Sequence, residues 1–426
     1  MPKQPVFGCG TREMVCRVRA EDVNGQKNIR MDVRERKDIV VTCGRGLKDY
    51  LAREIGGLGF EIADIHEGRV VTRGTFIDCM RLNLWLRTAS NVLYLLREFR
   101  CGSGEALYKQ VGNTAWEKII GPEEYVCVLS QVDTWSVTNS MYASMKVKDA
   151  IVDRIQRKAG VRPDSGPERG HVVVNLYWKE GKAWVYLNTS GVKLSDRNYR
   201  KMPHKAPLRE SLAAGLIMAT GYDGSQDLVL PMCGSGTLAI EAALMAMNKA
   251  AGSLRSDFGF RHVKVFDDEA WEVMRDEARK AVRKEGLRKR IIATDIDAEA
   301  VAAARQNART AGVEHLIEFG VCDFGDTEVP AGGGIVLLNP EYGLRLGELE
   351  QLEKDYKRIG DFFKQKCAGY SGYVFTGNRE MAGKVGLKAS GRMVFYNGEI
   401  ECRLLRYELY AGTKWKDRGA GDNSEP

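Results

Sequence analysis

The stretch DLVLPMCGSGTLAIEAALMAMNKA, residues 227–250, decides how this chain folds. DLVLP is a short apolar run that reads as a buried strand. MCGSGT is a glycine-rich turn, and LAIEAALMAMNKA is built from good helix formers. Strand, tight loop and helix in that order open a doubly wound sheet. Gly234-Ser235-Gly236 lies where such a sheet takes a ligand, because a side chain at either glycine would hold the backbone away from it. On its own a Gly-x-Gly is also an ordinary tight turn, so its neighbours must decide.

Working outward, strands and helices keep alternating. LRESLAAGLIMATG (208–221) is a leading helix, and a further helix over roughly 268–285 precedes the strand RIIATDID (290–297). The helix EAVAAARQNARTAGV (299–313) is followed by the strands LIEFG (316–320), GIVLLNP (334–340) and GYVFTG (372–377). The hairpin RMVFYNGEIECRLLRYELY (392–410) then turns at Asn397-Gly398. The predicted fold class is α/β, a doubly wound sheet closed by an antiparallel hairpin. That arrangement is typical of class I methyltransferases, whose cofactor is S-adenosyl-L-methionine. The expected cofactor cradle is Pro231, Cys233, Gly234, Gly236 and Thr237, with Asp295 and Asp323. Asp295 closes the next major strand, where a carboxylate can grip two ribose hydroxyls. It could equally cap the following helix, and Asp297 is the better cap of the two. Gly236 and Asp295 are separated by far more than the ~20 residues of a compact dinucleotide fingerprint, which requires an inserted helix. Asp323 is placed to meet an adenine amino group, or is an ordinary loop acid.

Asn339-Pro340-Glu341-Tyr342 follows an apolar strand, at the end that faces the cofactor crevice. An exocyclic amine on a nucleobase is a poor nucleophile because its lone pair is delocalised into the ring. An amide oxygen and a main-chain carbonyl, each accepting one N–H, can hold that nitrogen facing a methyl donor. A stacked aromatic ring fixes the plane of the base. Asn339, the Pro340 carbonyl and Tyr342 supply these parts in order, and the proline ring keeps its carbonyl fixed in direction. The alternative is a plain strand-to-loop turn.

The first half is of another kind. DIVVTCG (38–44), RVVTRG (69–74) and EYVCVLSQV (124–132) read as strands, and LKDYLAREIGGLG (47–59) and SMKVKDAIVDRIQRKAG (144–160) as helices. FIDCMRLNLWLRTASNVLYLLREF (76–99) carries apolar residues at helical spacing. HVVVNLYWKEGKAWVYLNTSG (171–191) is a hairpin turning at Glu180-Gly181. Segregated elements of this sort make an α+β module. Lys146 and Lys148, and Arg197, Arg200 and Lys201 beside Tyr199, flank the domain junction and are candidates for RNA phosphate contact. Arg81, Arg87 and Arg97 read as a solvated helix face, with Leu82, Trp85 and Leu86 on its core side.

Composition bounds the rest. With 426 residues, 44% hydrophobic and 28% charged, the chain is a folded protein of two or three domains. Lys+Arg 64 against Asp+Glu 57 gives +7, which favours a polyanionic partner without proving one. Residues 1–37 hold nine of those basic residues against five acids, either as a flexible arm that touches phosphate or as a solvated tail. No apolar run approaches the ~20 residues of a membrane span, and MPKQPVFGCG is no secretory signal. The ten cysteines are scattered, with no CxxC pair and no histidine cluster beside them, so no metal is expected and cytoplasmic reduced thiols are.

MCGSGTLAIEAAL, ATDID, NPEYGLRLGE and YRKMPHKAPLRESLAAGLI together resemble the large-subunit ribosomal RNA guanine-N2 methyltransferases that carry a THUMP domain. LWLRTASNVLYLLREF, MKVKDAIVDR and LNTSGVKLSDRNYR extend the likeness upstream, over roughly residues 38–410. The resemblance implies a basic arm (1–37), a small α+β module (38–100), a THUMP RNA-binding domain (101–195), a methyltransferase domain (196–410) and a polar tail (411–426). Longer members carry a second, carboxyl-terminal methyltransferase unit, and this chain ends without one. It implies methyl transfer to guanine N2, in 23S rRNA first, with tRNA guanine or an RNA-binding member that has lost catalysis as alternatives. Three positions depart from the family pattern. Leu230 stands where an acid helps to hold the methionine ammonium. Glu341 and Leu344 interrupt Asn-Pro-Pro-Tyr-Gly-Glu-Arg, in which Asn339, Pro340, Tyr342 and Arg345 are kept; Arg345 joins the candidate RNA contacts.

Overall fold

A computed structural model of the chain describes residues 31–135, 137–202, 208–341 and 349–410. The first half runs β1 (Lys37–Cys43), α1 (Lys48–Gly57), β2 (Ile62–His66), β3 (Arg69–Gly74), α2 (Phe76–Trp85), β4 (Ala89–Arg100), α3 (Gly104–Gly112), β5 (Val126–Asp133), α4 (Ser140–Ala159), β6 (Val172–Lys179) and β7 (Lys182–Asn188). Its strands form one continuous sheet in the order β2-β3-β1-β4-β7-β6-β5, so the small module and the segment after it share a sheet across the β4–β7 seam. The described end of the basic arm is docked there: Tyr94 Oη donates to the Glu35 carbonyl at 2.8 Å, and Lys37 already belongs to β1.

The apolar run 76–99 is not one helix. A Thr75–Asp78 capping box starts α2, but the chain turns extended at Leu86. There the Arg87 and Thr88 amides donate to the Glu54 carboxylate, at 2.7 and 2.9 Å, instead of to the helix. The rest is β4, whose register slips between Leu95 and Arg97. That bulge breaks the period of two and leaves Val92, Leu96 and Phe99 buried at spacings that imitate a helix. Arg87, expected on a solvated face, is buried.

The second half runs α5 (Glu210–Thr220), β8 (Asp227–Pro231), α6 (Thr237–Ala246), α7 (Asp268–Lys280), β9 (Ile291–Asp295), α8 (Ala298–Ala311), β10 (Glu318–Val321), β11 (Gly334–Leu338), α9 (Leu349–Lys366), β12 (Ser371–Thr376), α10 (Arg379–Lys384), β13 (Gly391–Asn397) and β14 (Ile400–Glu408). The strand order is β10-β9-β8-β11-β12-β14-β13. The first five strands are parallel, and β14 alone runs antiparallel to them and to β13. The chain moves outward from β8 to β10, then returns to β11 on the other side of β8. This reversal opens a crevice at the carboxyl ends of β8 and β11.

Most of the insertion between α6 and β9 packs on the first half, with Leu254 and Leu287 against the core of this sheet. Phe258 and Phe260 stack at 5.0 Å with Trp271 edge-on to both, and all three lie in the core of the first half. Main-chain bonds from Phe260 to Thr189 (2.9 Å) and from Lys264 to Ile119 (2.8 Å) fasten it. A second clasp stacks Tyr50 of α1 on Phe395 of β13. Among the described residues no helix is long and apolar enough to cross a membrane.

Candidate active site

Pro231 pairs with Thr294, and Val229 with Val336. Continuing both registers past the strand ends sets Asp295, Met232 and Asn339 in one row across the crevice. The loop between β8 and α6 is held in a left-handed path by Met232 (φ 62°), Gly234 (φ 54°) and Gly236 (φ 80°). A Cβ on Gly234 would meet nothing within 4 Å, so this glycine faces open space. A Cβ on Gly236 would come within 2.8 Å of the Ala304 Cβ, so that glycine lets the loop lie against α8.

Asp295 holds the loop. Its Oδ2 accepts from the Gly234 amide at 2.8 Å and its Oδ1 from the Asp297 amide at 3.0 Å, while the Cys233 amide donates to the Thr294 carbonyl at 2.8 Å. Each carboxylate oxygen keeps a further acceptor position. The helix cap itself is Asp297, which accepts from the Glu299 and Ala300 amides. Burial, and then the Asp295 charge, push the Cys233 thiol up, so it is a wall rather than a nucleophile. Thr237 is buried at the first position of α6, and Pro231 is buried at the end of β8. Asp323 accepts from the Gly325 amide (2.8 Å) and from Arg358 (2.6 Å), both at Oδ1. The Arg358 guanidinium holds its carboxyl below the usual range.

Leu230 is 1% exposed in the apolar core, so no acid stands at the head of this loop. Asp227 does not replace it, because its carboxylate accepts from the Arg290 amide at the far end of β8. Asn339 follows β11 directly. Its Oδ1 is buried and accepts no hydrogen bond among the described residues. Pro340 is buried beside it and Glu341 points to solvent. Tyr342, Leu344 and Arg345 lie outside the described residues.

Two RNA candidates are corrected. Arg197 is fully buried: one arm is ion-paired to Glu241 of α6 and the other donates to the Arg87 carbonyl at 2.5 Å. The Tyr199 hydroxyl meets the same glutamate at 3.0 Å. Arg200 is spent inside as well, on the Leu208 carbonyl (2.6 Å), Thr237 Oγ1 (3.3 Å) and Glu210 (3.3 Å). Lys201 is exposed, Lys146 lies over the Tyr142 ring at 5.7 Å, and Lys148 pairs with Asp149. Sequence reasoning missed Trp135, Met141 and Met145, exposed at 85, 73 and 53%. It also missed Asn307, whose side chain accepts from the Lys201 and Met202 amides and donates to the Met202 and Ser235 carbonyls. A buried amide on the alanine-rich face of α8 was the available signal.

Comparison with known proteins agrees with this geometry. The RMKL-like methyltransferase domain family matches residues 197–406, the RlmL ferredoxin-like domain 38–93 and the THUMP domain 103–188. Slr0064 of Synechocystis sp., named as a candidate RNA methyltransferase, is 31% identical over 369 residues, covering 87% of this chain and 96% of the relative. The chain belongs to this THUMP-containing methyltransferase family. Ribosomal RNA large subunit methyltransferase K/L of Syntrophotalea carbinolica is 36% identical over 379 residues, 86% of this chain. The chain spans about half the length (53%) of that relative. The crystal structure of SMU.472, described as a candidate methyltransferase complexed with SAH, aligns with a TM-score of 0.78 at 28% identity, over 88% of this chain and 98% of its own. The carboxyl-terminal half of this family member is thus a class I methyltransferase fold, and its amino-terminal half includes a THUMP domain.

Proposed function

We propose that this chain is an S-adenosylmethionine-dependent RNA methyltransferase that modifies the exocyclic N2 of a guanine in 23S ribosomal RNA, in the cytoplasm. The observation that carries the reading is the Oδ1 of Asn339 at the lip of the crevice, buried and without a donor among the described residues. A buried acceptor without a donor costs about 1–3 kcal/mol, so its persistence points to a donor that arrives with the substrate. The names of the K/L relatives and the SAH bound to SMU.472 support the same reading.

The residues present fit the cofactor. Gly234 offers open backbone, Asp295 retains acceptor capacity for ribose hydroxyls, and Asp323 stands at the end of β10. When bound, the cofactor supplies an electrophilic methyl group on a sulfonium. Asn339 Oδ1 and the Pro340 carbonyl would each accept one N–H of the guanine amine and turn its lone pair toward that methyl. Tyr342 would stack on the base once it is swung out of its helix. The amine gains positive charge as the bond forms, which strengthens its bonds to both acceptors. The methylated nitrogen then releases a proton to solvent, and no strong base is needed. Lys146, Lys148 and Lys201 would hold phosphate.

The test is transfer of tritiated methyl to ribosomal RNA and to tRNA from a strain lacking the protein, followed by nucleoside mass spectrometry. N2-methylguanine in ribosomal RNA is expected. Label in tRNA alone, or in adenine, overturns the assignment, and absent cofactor binding in calorimetry would leave an RNA-binding protein.

A further inference from the structure

Two of the five histidines meet across the junction of the halves. Glu124 stands before β5, His171 before β6, and His262 closes the short helical turn Gly259–His262 of the insertion. β5 and β6 are parallel neighbours, so their leading ends lie side by side. Glu124 Oε2 lies 3.2 Å from His171 Nδ1 and 3.3 Å from His262 Nδ1. We propose that Glu124, His171 and His262 bind one zinc-class divalent cation, which staples the THUMP-bearing half to the methyltransferase insertion.

The groups around the cluster are disposed as a cation site would have them. His262 Nε2 lies 3.0 and 3.1 Å from the two Asp257 carboxylate oxygens, and its Nδ1, on the opposite side of the ring, faces Glu124 Oε2. The His171 and His262 rings lie with centroids 5.0 Å apart, both turned to that one carboxylate oxygen. A single dication would serve both rings at once.

Distance and ligand type agree. Zinc–nitrogen and zinc–oxygen bonds of about 2.0–2.1 Å give a tetrahedron with edges of about 3.4 Å. Two of the three ligand–ligand distances already match that edge, and all three ligand atoms lie within 4.8 Å of one another. Rotation of His171, 45% exposed, closes the remaining edge. Two imidazoles and a carboxylate suit zinc better than magnesium or calcium, and Asp257 behind His262 is the usual outer carboxylate that fixes a ligand's tautomer. The exposed side leaves a fourth position to water.

The experiment uses the full chain without a histidine tag, freed of metal by chelator and titrated with Zn2+ by calorimetry and with Co2+ by visible absorption. One ion per chain, a tetrahedral N/O cobalt spectrum and a raised Tm are expected. His262→Ala and His171→Ala should abolish saturable binding, and Asp257→Asn should weaken it roughly 10–100-fold. Unchanged circular dichroism of metal-free His171→Ala checks that the exposed-site variant folds. No saturable zinc binding, binding that both histidine variants retain, or a thiolate charge-transfer band from cysteine capture would each overturn the proposal.

Discussion

Asn339→Ala separates a substrate acceptor from a structural amide. Among the described residues Asn339 Oδ1 is buried without a donor, so its removal takes away a destabilising feature of about 1–3 kcal/mol. The small cavity left by the amide offsets part of that, and the Tm should stay level or rise. During transfer the same oxygen accepts from an N–H whose nitrogen is becoming cationic. Removing a group aimed at developing charge typically lowers kcat by about 10²–10³-fold, or roughly 2.7–4 kcal/mol. Cofactor affinity should not change, since the cradle is built from Gly234, Asp295 and their neighbours rather than from Asn339. The assay is initial-rate tritium transfer at saturating RNA and donor, beside calorimetry for the cofactor and a melting curve. A kcat within about threefold of the parent, under 1 kcal/mol, refutes the role. So does a loss of rate that is matched by an equal loss of cofactor affinity or by a fall in Tm.

The glycine loop yields a contrasting pair. Gly236→Ala should lower the Tm, because φ 80° and a 2.8 Å approach to Ala304 Cβ add strain of about 2–4 kcal/mol, whereas Gly234→Ala should cost about 1 kcal/mol in stability yet weaken cofactor binding strongly. Calorimetry and melting curves on both variants check this. Arg197→Met should destabilise by about 3–5 kcal/mol, since it strands the buried Glu241, while leaving the salt slope of RNA affinity unchanged. A slope reduced by about one would restore the phosphate contact. Burial raises the Glu210 carboxyl to about 7, so the folded state holds a proton that the unfolded state gives up near 4.5. The resulting stabilisation is complete below about pH 4.5 and is lost as pH rises to about 7; it is worth up to ~3 kcal/mol, and Glu210→Gln should flatten that slope in chemical denaturation.

The second half was legible because its sheet repeats one unit, strand then helix, whose alternation hydrophobic period reveals, while its kinship came from the resemblance of its motifs; α9 (Leu349–Lys366) escaped that reading. Asp295, Asp323 and Asn339 were found as residues that end strands, a property local to the sequence. What was not legible depends on distant partners. β4 reads as helix because a bulge at Leu95–Arg97 disrupts its alternation, and the break after Trp85 depends on Glu54, more than thirty residues upstream. Arg197 looked like an RNA contact because a basic run near a junction carries the same letters whether it faces phosphate or a buried glutamate. The Glu124, His171 and His262 cluster was invisible to spacing rules, which look for ligands close together in the chain.

Arg87, Arg197, Arg200 and Asn307 converge on one helix and its leading loop, and that bears on how the two halves work together. Arg197 ties the linker to Glu241 of α6, Arg200 ties it to Thr237 at the start of α6, and Asn307 ties Lys201 and Met202 to Ser235 inside the glycine loop. Arg87, from the first half, donates at the other end of the same helix, to the Leu244 and Lys249 carbonyls. The helix that follows the glycine loop is therefore held along its length by residues of the first half, of the linker and of α8. A rigid-body shift of the first half cannot leave α6 in place without breaking buried, charge-assisted bonds. On the proposed function, RNA seated on the THUMP side would meet a crevice whose distance from it is fixed by α6, with Arg197 and Arg200 of the linker serving as the spacer and only Lys201 left to face phosphate.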